Sequence, residues 1–260
     1  MTKGPAREVL LPSGWLRAAW AVPSCVTAFV TTRVGGVSQP PYDSLNLGLH
    51  VGDVPESVQE NRNRLMKVLP SGTQLQWLEQ VHGTSVVDAC ADGCTRTGDA
   101  VYVDRPGIGG VVMTADCLPV FFASSDGRRA ALAHAGWRGL LDGVLESTVA
   151  RFPDVPAEIH AWLGPAIGPC HFEVGQEVLD AFVVAASLDR EETRVAFVPT
   201  ATAGKYLADI YRLARLRLRA TGLLRVSGGG LCTVCESSQY FSYRRDGVTG
   251  RFASVVALLP

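Results

Sequence analysis

Cys117 and His134 have the residue types and positions in this chain that most favour chemistry. Each breaks an apolar run: Cys117 follows a hydrophobic stretch that ends at Met113, and His134 follows the strand-like residues 130–133. After Gly136 the apolar residues recur at helical spacing, which places His134 at a strand-to-helix turn. A side chain at such a turn is held by the scaffold and remains reachable. The pair therefore marks the centre of a candidate site.

His82 is a third candidate, because it stands at a turn before the strand-like residues 84–87. A catalytic zinc site takes three nitrogen or sulfur ligands from the protein and leaves a fourth position open, which His82, Cys117 and His134 would satisfy. The alternative is covalent chemistry, with Cys117 as nucleophile, His134 as its base and Asp116 as the orienting carboxylate. Hydrogen-bonded histidines and an inert thiol are the structural interpretation. Both chemistries require a thiolate, so the presence of metal separates them.

The other cysteines offer a weaker pattern. The chain has seven cysteines, an odd number that does not indicate a disulfide framework. Cys232 and Cys235 form one Cys-x-x-Cys pair, and a structural zinc site there would need a second pair of ligands. The sequence offers two such pairs, Cys90 with Cys94 and Cys170 with His171. We interpret these residues as separate reduced thiols, while His171, in a loop rich in glycine and proline, is a candidate for the same pocket as the trio.

Several arginines are candidates for binding an anion, because guanidinium matches the geometry of phosphate and carboxylate. They are Arg33, Arg138, Arg244 and Arg245. A surface or capping role is the alternative for each of them. His50, in a loop, and His160, in a strand, are interpreted as structural.

Composition excludes some classes of function. The 260 residues include 24 basic and 25 acidic side chains, a formal net charge of −1. Nucleic acids and anionic membranes are bound by clustered positive charge, so we expect neither as a partner. Hydrophobic residues make up 47% of the chain, which is enough for one large domain or two small ones with a well-covered core. No segment has the length of a membrane span and no signal core is present, which predicts a cytoplasmic protein.

The elements that must position the candidates alternate irregularly. Strands are predicted at residues 25–32, 84–87, 98–103, 109–113, 158–163 and 195–198. Helices are predicted after Asp53 as N-cap and before Pro70, after Gly136, and at residues 176–186 and 205–221. This order predicts one domain over residues 1–260, with an irregular lead-in at residues 1–24 and mixed strands and helices rather than a regular barrel. The long loop at residues 33–53 is of a length that is usually functional.

A series of motifs resembles those of one known family. They are TTRVGGVSQPPYDSLNLGLHVGD, QVHGTSVV, VVMTADCLPVFF, AHAGWRGL, LGPAIGPCHFEVGQEV, and GLCT followed by YFSYRRDGVTGR. In this order they resemble the YfiH family, whose members are also called laccase-domain or peptidoglycan-editing-factor proteins. The resemblance runs from about residue 26 to the C-terminus. Cys94 and Cys235 depart from the family pattern.

The resemblance implies a zinc enzyme that acts on purine nucleosides with phosphate. It implies phosphorolysis of adenosine, inosine, guanosine and methylthioadenosine, together with deamination of adenosine. The family's metal ligands fall on His82, Cys117 and His134. The implied fold is α+β, with two mixed β-sheets packed face to face and helices outside in α/β/β/α layers. For this mechanism we expect Asp116 as acid or base, with phosphate bound by Arg33 and Arg244; nothing in the sequence predicts the oligomeric state.

Two other interpretations of the family names differ in chemistry. A multicopper oxidase needs many histidines in His-x-His pairs, and this chain has five histidines and no such pair. The laccase interpretation is therefore poor. A hydrolase of cell-wall peptides or their precursors, using Cys117 or zinc hydroxide, is the alternative enzyme. A binding module without catalysis would leave the three potential ligands unexplained.

Overall fold

The computed structural model describes residues 9–186 and 190–260, so residues 1–8 of the predicted lead-in lie outside it. Within these ranges the strands are β1 (Leu16–Arg17), β2 (Val26–Val30), β3 (Gln74–Gln76), β4 (Leu78–Glu79), β5 (Val86–Asp88), β6 (Arg96–Thr97), β7 (Ala100–Val103), β8 (Ile108–Thr114), β9 (Leu118–Ser124), β10 (Ala130–Ala135), β11 (Ile159–Leu163), β12 (Glu173–Gly175), β13 (Phe197–Pro199), β14 (Lys205–Ala208), β15 (Arg225–Gly228) and β16 (Phe252–Leu258). The helices are α1 (Pro55–Val68), α2 (Trp137–Asp142), α3 (Val144–Val149), α4 (Gln176–Ala185), α5 (Arg190–Arg194), α6 (Ile210–Ala220) and α7 (Tyr243–Asp246), with a 3-10 turn at Pro156–Glu158.

Two mixed sheets form the centre of the molecule. A five-stranded sheet has the order β1-β2-β16-β8-β3, and a six-stranded sheet has the order β15-β11-β9-β10-β7-β5. Parallel pairs occur near the edges, at β3 with β8, β5 with β7 and β15 with β11. The sheets pack face to face through a core that includes Val30 and Val256 of the first sheet and Val101, Phe121 and Leu132 of the second. Smaller sheets join β12-β14-β13 and β4-β6.

Helices cover the outer faces of both sheets. On the six-stranded sheet, Leu140, Leu145 and Leu213 from α2, α3 and α6 pack in one cluster with strand residues such as Phe122. On the five-stranded sheet, Leu65 of α1 packs with strand residues of a separate cluster. The predicted α/β/β/α layering is confirmed. Among the described residues, no helix is long and apolar enough to cross a bilayer.

Burial on both faces explains the continuous apolar runs of the central strands. Every residue of β8, β9 and β10 is buried. Adjacent residues serve different layers: Phe121 belongs to the core between the sheets, and Phe122 to the core beneath the helices. Such a strand cannot alternate between apolar and polar residues. Polar residues near these strands therefore mark the places where they end, which is where Cys117 and His134 lie.

Three predicted details are wrong at element ends. Residues 205–208 are strand β14, because they pair with β12 and β13, and α6 begins only at Ile210, after the cap Asp209. The helix after Gly136 is two helices, because Gly143 takes a left-handed φ of 104° between them. Asp53 does not cap α1: the N-cap is Val54, which makes no side-chain bond, and the Asp53 carboxylate accepts a hydrogen bond from Asn46 Nδ2 at 2.9 Å.

The long loop before α1 is fixed by one buried amide. Asn61 Nδ2 donates to Ser38 Oγ and to the carbonyls of Ser44 and Asn46, and its Oδ1 accepts from the Val37 N–H. These bonds satisfy polar groups that would otherwise be buried unpaired. The loop is therefore an ordered part of the scaffold, and it presents residues 49 and 50 to the pocket described below.

Candidate metal centre

His82, Cys117 and His134 converge from three elements. His82 follows β4, Cys117 lies between β8 and β9, and His134 is in β10. One ligand atom from each lies within 4.8 Å of the other two. Cys117 Sγ is 3.9 Å from His82 Nε2, and the two imidazole rings are 4.8 Å apart at an interplanar angle of 73°. The sequence prediction that these residues meet is consistent with this geometry.

A buried carboxylate, Asp99, organises the trio. Its Oδ1 lies 2.8 Å from His134 Nδ1 and accepts the His82 N–H at 2.9 Å. Its Oδ2 accepts the N–H groups of Gly83 and Val81 at 2.6 and 3.2 Å. With Nδ1 bonded to a carboxylate, His134 presents Nε2, which is the carboxylate–histidine arrangement of many metal sites. The donor set and this support therefore fit a bound Zn²⁺.

Asp99 is not among the site residues predicted from the sequence. It is fully buried and stands immediately before β7, where Ala100 pairs with Ala133 of β10. That antiparallel register places Asp99 opposite His134. The available signal was an acidic residue at the start of an apolar strand, since a buried acid needs partners. Its partner could not be named without the register.

Backbone geometry at the site leaves no room for extra atoms. His82 has a left-handed φ of 60°, which is uncommon outside glycine. The Asp99 carboxylate holds this turn by accepting the N–H groups of His82 and Gly83. A Cβ at Gly136 would lie 2.8 Å from His82 Cδ2 and 3.1 Å from Cys117 Sγ. A Cβ at Gly139 would lie 2.9 Å from the Gly83 carbonyl oxygen. Both glycines thus permit α2 to begin directly against the trio.

The groups of the trio shift each other's protonation. Burial alone would raise the pKa of the Cys117 thiol, but the facing His134 and His82 lower it to about 6. Burial alone would lower the pKa of His134, but Cys117 and Asp99 raise it to about 9. For Asp99, burial opposes ionisation and the bonds from His134 and the Gly83 N–H outweigh it, so its pKa is lowered. The metal-free site therefore favours a thiolate beside an imidazolium near neutral pH.

The trio borders a cavity of about 740 Å³, the size of a small-molecule pocket. Its lining also includes apolar side chains that are largely exposed, Leu49, Val81 and Tyr243, with exposed fractions of 49%, 56% and 62%. Trp77 and Met113 line it as well. A pocket with apolar walls beside a polar cluster is suited to a ligand with a flat apolar part and a reactive polar part.

Two arginines line the same pocket, and no described carboxylate lies within ion-pair distance of either. The Arg62 guanidinium stacks 3.8 Å over the Trp77 ring, and Arg251 bonds the carbonyls of Thr249 and Gly250. Burial lowers the pKa of Arg62 to about 10 and also lowers that of Arg251. Burial, then the charges of Arg251 and Arg62, lower the pKa of His50 beside them. This cationic corner is suited to an anion.

The structure places the other predicted site residues outside this lining. Arg33 binds the carbonyls of Asp43 and Ser237 at a separate surface depression. Arg244 Nη1 binds the carbonyls of His171 and Glu173. Neither guanidinium is brought to the trio.

Asp116 and His171 also differ from their predicted surroundings. The Asp116 carboxylate accepts from Thr233 Oγ1 at 2.6 Å and from the Arg244 N–H at 2.7 Å, so both oxygens hold neighbouring loops. Next to Cys117, Asp116 has a φ of 102° and supports the turn. His171 lies with a different set of cysteines. His50, interpreted as structural, lines the pocket instead.

Fold and site define a class of α+β protein in which a Cys/His cluster lies at strand ends of two packed sheets. The chain matches the family model described as multi-copper polyphenol oxidoreductase laccase over residues 27–259. It is 53% identical over 246 residues to the protein named purine nucleoside phosphorylase PA4543 of Pseudomonas aeruginosa, covering 95% of this chain and 99% of that one. It is 50% identical over 241 residues to purine nucleoside phosphorylase YfiH of Escherichia coli strain K12, covering 92% and 97%.

The solved structure of a relative agrees with the family that these matches indicate. The crystal structure of Neisseria meningitidis protein NMB0706, described by the family model DUF152, is 47% identical and has a TM-score of 0.89. The match covers 95% of this chain and 100% of that one. The chain belongs to the YfiH family, as the motifs predict.

Replacing Asp99 by Asn is expected to lower metal affinity about 10- to 100-fold, because the amide removes the negative charge that orients His134 and raises its basicity. Competition with a chromogenic chelator measures the affinity, and circular dichroism checks folding. Asp88→Asn is the matched control, since Asp88 is exposed and pairs with Arg151. Unchanged affinity in folded Asp99→Asn protein would contradict the orienting role.

The Cys117 thiol of metal-free protein is expected to become reactive as the pH rises through about 6, its lowered pKa, well below the ordinary value of 9.0. The thiolate fraction rises with pH through that point, so iodoacetamide labelling of the Cys117 peptide, followed by mass spectrometry, should reach its plateau near neutral pH. In His134→Gln the facing cation is lost and the midpoint should move upward. Equal midpoints in both proteins would show that His134 does not stabilise the thiolate.

Proposed function

We propose that this protein is a zinc-dependent purine nucleoside phosphorylase that accepts adenosine, inosine, guanosine and methylthioadenosine and also deaminates adenosine. The observation that carries the proposal is one pocket shared by the His82–Cys117–His134 trio and by Arg62 and Arg251, which have no ion-pair partner among the described residues. The names of the relatives supply the reaction class. The family label that mentions copper makes the identity of the metal part of the test.

The pocket provides separate groups for the two substrates of phosphorolysis, phosphate and the nucleoside. Phosphate attacks ribose C1′, the bond from C1′ to the purine N9 breaks, and the products are ribose 1-phosphate and a free base that takes up a proton. Two guanidinium groups at one end can hold phosphate by charge and position it next to the ribose. We assign this contact to Arg62 and Arg251 rather than to Arg33 and Arg244, whose guanidinium groups lie outside the pocket.

The apolar lining offers a place for the purine. Leu49, Val81 and Tyr243 expose large apolar surfaces at the pocket, and an exposed apolar cluster of this kind marks a binding surface. A base held there would lie in the same pocket as the trio and the two arginines. Aromatic and aliphatic walls recognise any purine face, which supports a broad range of nucleosides.

The trio would hold the zinc ion, which supplies Lewis acidity and a bound water of lowered pKa for deamination. The chain's own contribution is to keep Cys117 as a thiolate, to present His134 Nε2 by bonding its Nδ1 to Asp99, and to hold His82 at the pocket side. Asp116 acts as a positioning residue, since its carboxylate ties the adjoining turn to Thr233 and Arg244.

Purified protein incubated with adenosine and phosphate is expected to form adenine, ribose 1-phosphate and a smaller amount of inosine. Cys117→Ala should lower these rates at least about 100-fold because a metal ligand is lost. Chromatography measures the products and elemental analysis the metal, with Cys94→Ala, an exposed thiol outside the trio, as control. Product formation equal in wild type and Cys117→Ala would refute the proposal. Turnover of a muramyl peptide by metal-free protein, with Cys117 alkylated during turnover, would favour the hydrolase alternative.

Arg62→Gln is expected to raise KM for phosphate about 10- to 100-fold while changing KM for the nucleoside much less, because a charge-assisted contact to the anion is lost. Initial rates over a matrix of phosphate and nucleoside concentrations measure both constants. Arg64→Gln is the matched control, two residues along the same helix and paired with Glu60. A parallel rise in both KM values would instead indicate general damage to the pocket.

A further inference from the structure

A second cluster of soft ligands lies apart from the trio. Cys170 and His171 come from the loop after β11, and Cys232 and Cys235 from the segment after β15. Ligand atoms from all four lie within 4.8 Å of one another. The prediction of separate thiols is therefore wrong for these three cysteines, which lie together in the structure. The pairing of Cys170-His171 with the Cys-x-x-Cys pair is one of the two combinations that a structural zinc site would need.

The distances are close to those expected around a tetrahedral ion. With zinc–sulfur bonds of about 2.3 Å and zinc–nitrogen bonds near 2.0 Å, ligand atoms at tetrahedral angles are separated by about 3.8 Å for two sulfurs and about 3.5 Å for sulfur and nitrogen. Here the Sγ atoms of Cys170 and Cys235 are 3.6 Å apart. His171 Nδ1 is 3.1, 3.6 and 3.5 Å from the Sγ atoms of Cys170, Cys232 and Cys235. One imidazole nitrogen therefore faces three sulfurs.

The surrounding backbone supports this arrangement. The Gly168 N–H donates to Cys232 Sγ at 3.2 Å, and such a bond stabilises a thiolate. A Cβ at Gly168 would lie 2.9 Å from Cys232 Cβ, so only glycine allows this approach. A β-bridge between Ala166 and Cys232 joins the two segments. The two segments that carry the ligands are thus joined by a backbone bridge, and a backbone N–H orients the Cys232 thiolate.

We propose that Cys170, His171, Cys232 and Cys235 bind one structural Zn²⁺ ion, a second metal site separate from the trio. Three thiolates and one imidazole complete a four-coordinate shell with no open position, which is the arrangement of structural rather than catalytic zinc. Binding releases the thiol protons to solvent and changes no oxidation state. The competing arrangement is a disulfide between Cys170 and Cys235, which would release two electrons to an oxidant and remove two of the ligands.

The second ion would cross-link two loops that support the first site. The Ile167 N–H donates to the Asp116 carbonyl at 2.8 Å, and Thr233 Oγ1 donates to the Asp116 carboxylate. Asp116 directly precedes Cys117. A zinc ion joining residues 170–171 to residues 232–235 therefore fixes both loops that hold the turn bearing the Cys117 ligand.

Metal content separates the two sites. In protein purified under reducing conditions, Cys117→Ala is expected to retain one equivalent of zinc, held by the second site. The combined variant with Cys117→Ala, Cys232→Ser and Cys235→Ser should retain none. The matched control, Cys117→Ala with Cys90→Ser and Cys94→Ser, should keep its equivalent, because those thiols belong to neither cluster. Elemental mass spectrometry measures the zinc, so phosphorylase activity plays no part in the result.

Cobalt gives a second readout that does not depend on yield. Co²⁺ added to Cys117→Ala protein should produce intense thiolate-to-metal charge-transfer bands. In the same background, His171→Cys should preserve these bands, because four thiolates also bind the metal tightly, and His171→Ala should weaken them. Chelation should lower the Tm of Cys117→Ala by about 5 °C or more. Zinc-free Cys117→Ala protein that gives no cobalt bands would overturn the proposal, as would a Cys170–Cys235 disulfide in the reduced preparation.

Discussion

The bond between Asp99 and His134 is the interaction on which the candidate site depends. A fully buried carboxylate is costly unless it is paired and hydrogen-bonded, and here it accepts from one imidazole and from three consecutive backbone N–H groups. Three of these four bonds also fix the left-handed turn that carries His82. One residue thus sets the orientation of two of the three ligands, although it does not itself line the pocket.

The packed sheets make this arrangement possible. Strands β8, β9 and β10 are buried on both faces, so polar side chains are confined to the places where they end. The register of β7 with β10 then brings Asp99 opposite His134. Gln80 adds a further tie, because its amide exchanges two hydrogen bonds with the Met113 backbone and joins the His82 loop to the end of β8. Hydrogen bonds therefore fix the backbone at the positions from which the ligand side chains project.

Local sequence was informative about the ligands and much less so about their partners. Cys117 and His134 could be found because each interrupts an apolar run, and motifs joined His82 to them. Asp99 could not be paired with His134 because their contact depends on strand register. The anion contacts were assigned to arginines that lie within the motifs, whereas Arg62 lies on α1 outside every motif and stacks on Trp77 in the pocket. The layered architecture followed from family resemblance rather than from periodicity, which strands buried on both faces do not show.

Charge within the pocket also constrains what it can bind. Arg62 and Arg251 are partly buried, and burying a cation without a carboxylate disfavours its charged form, which the lowered pKa of both guanidinium groups reflects. A guanidinium that remains charged under this cost stabilises an incoming anion more than one already neutralised by an acid, because no existing ion pair must be broken. The trio lies at the same pocket, and a divalent cation held there would accept an electron-rich ligand at its open position. The pocket therefore favours an anion at its guanidinium groups, an electron-rich group at the trio and a flat, neutral group on its exposed apolar side chains. A purine nucleoside beside phosphate meets all three requirements, whereas a cationic peptide meets none of them.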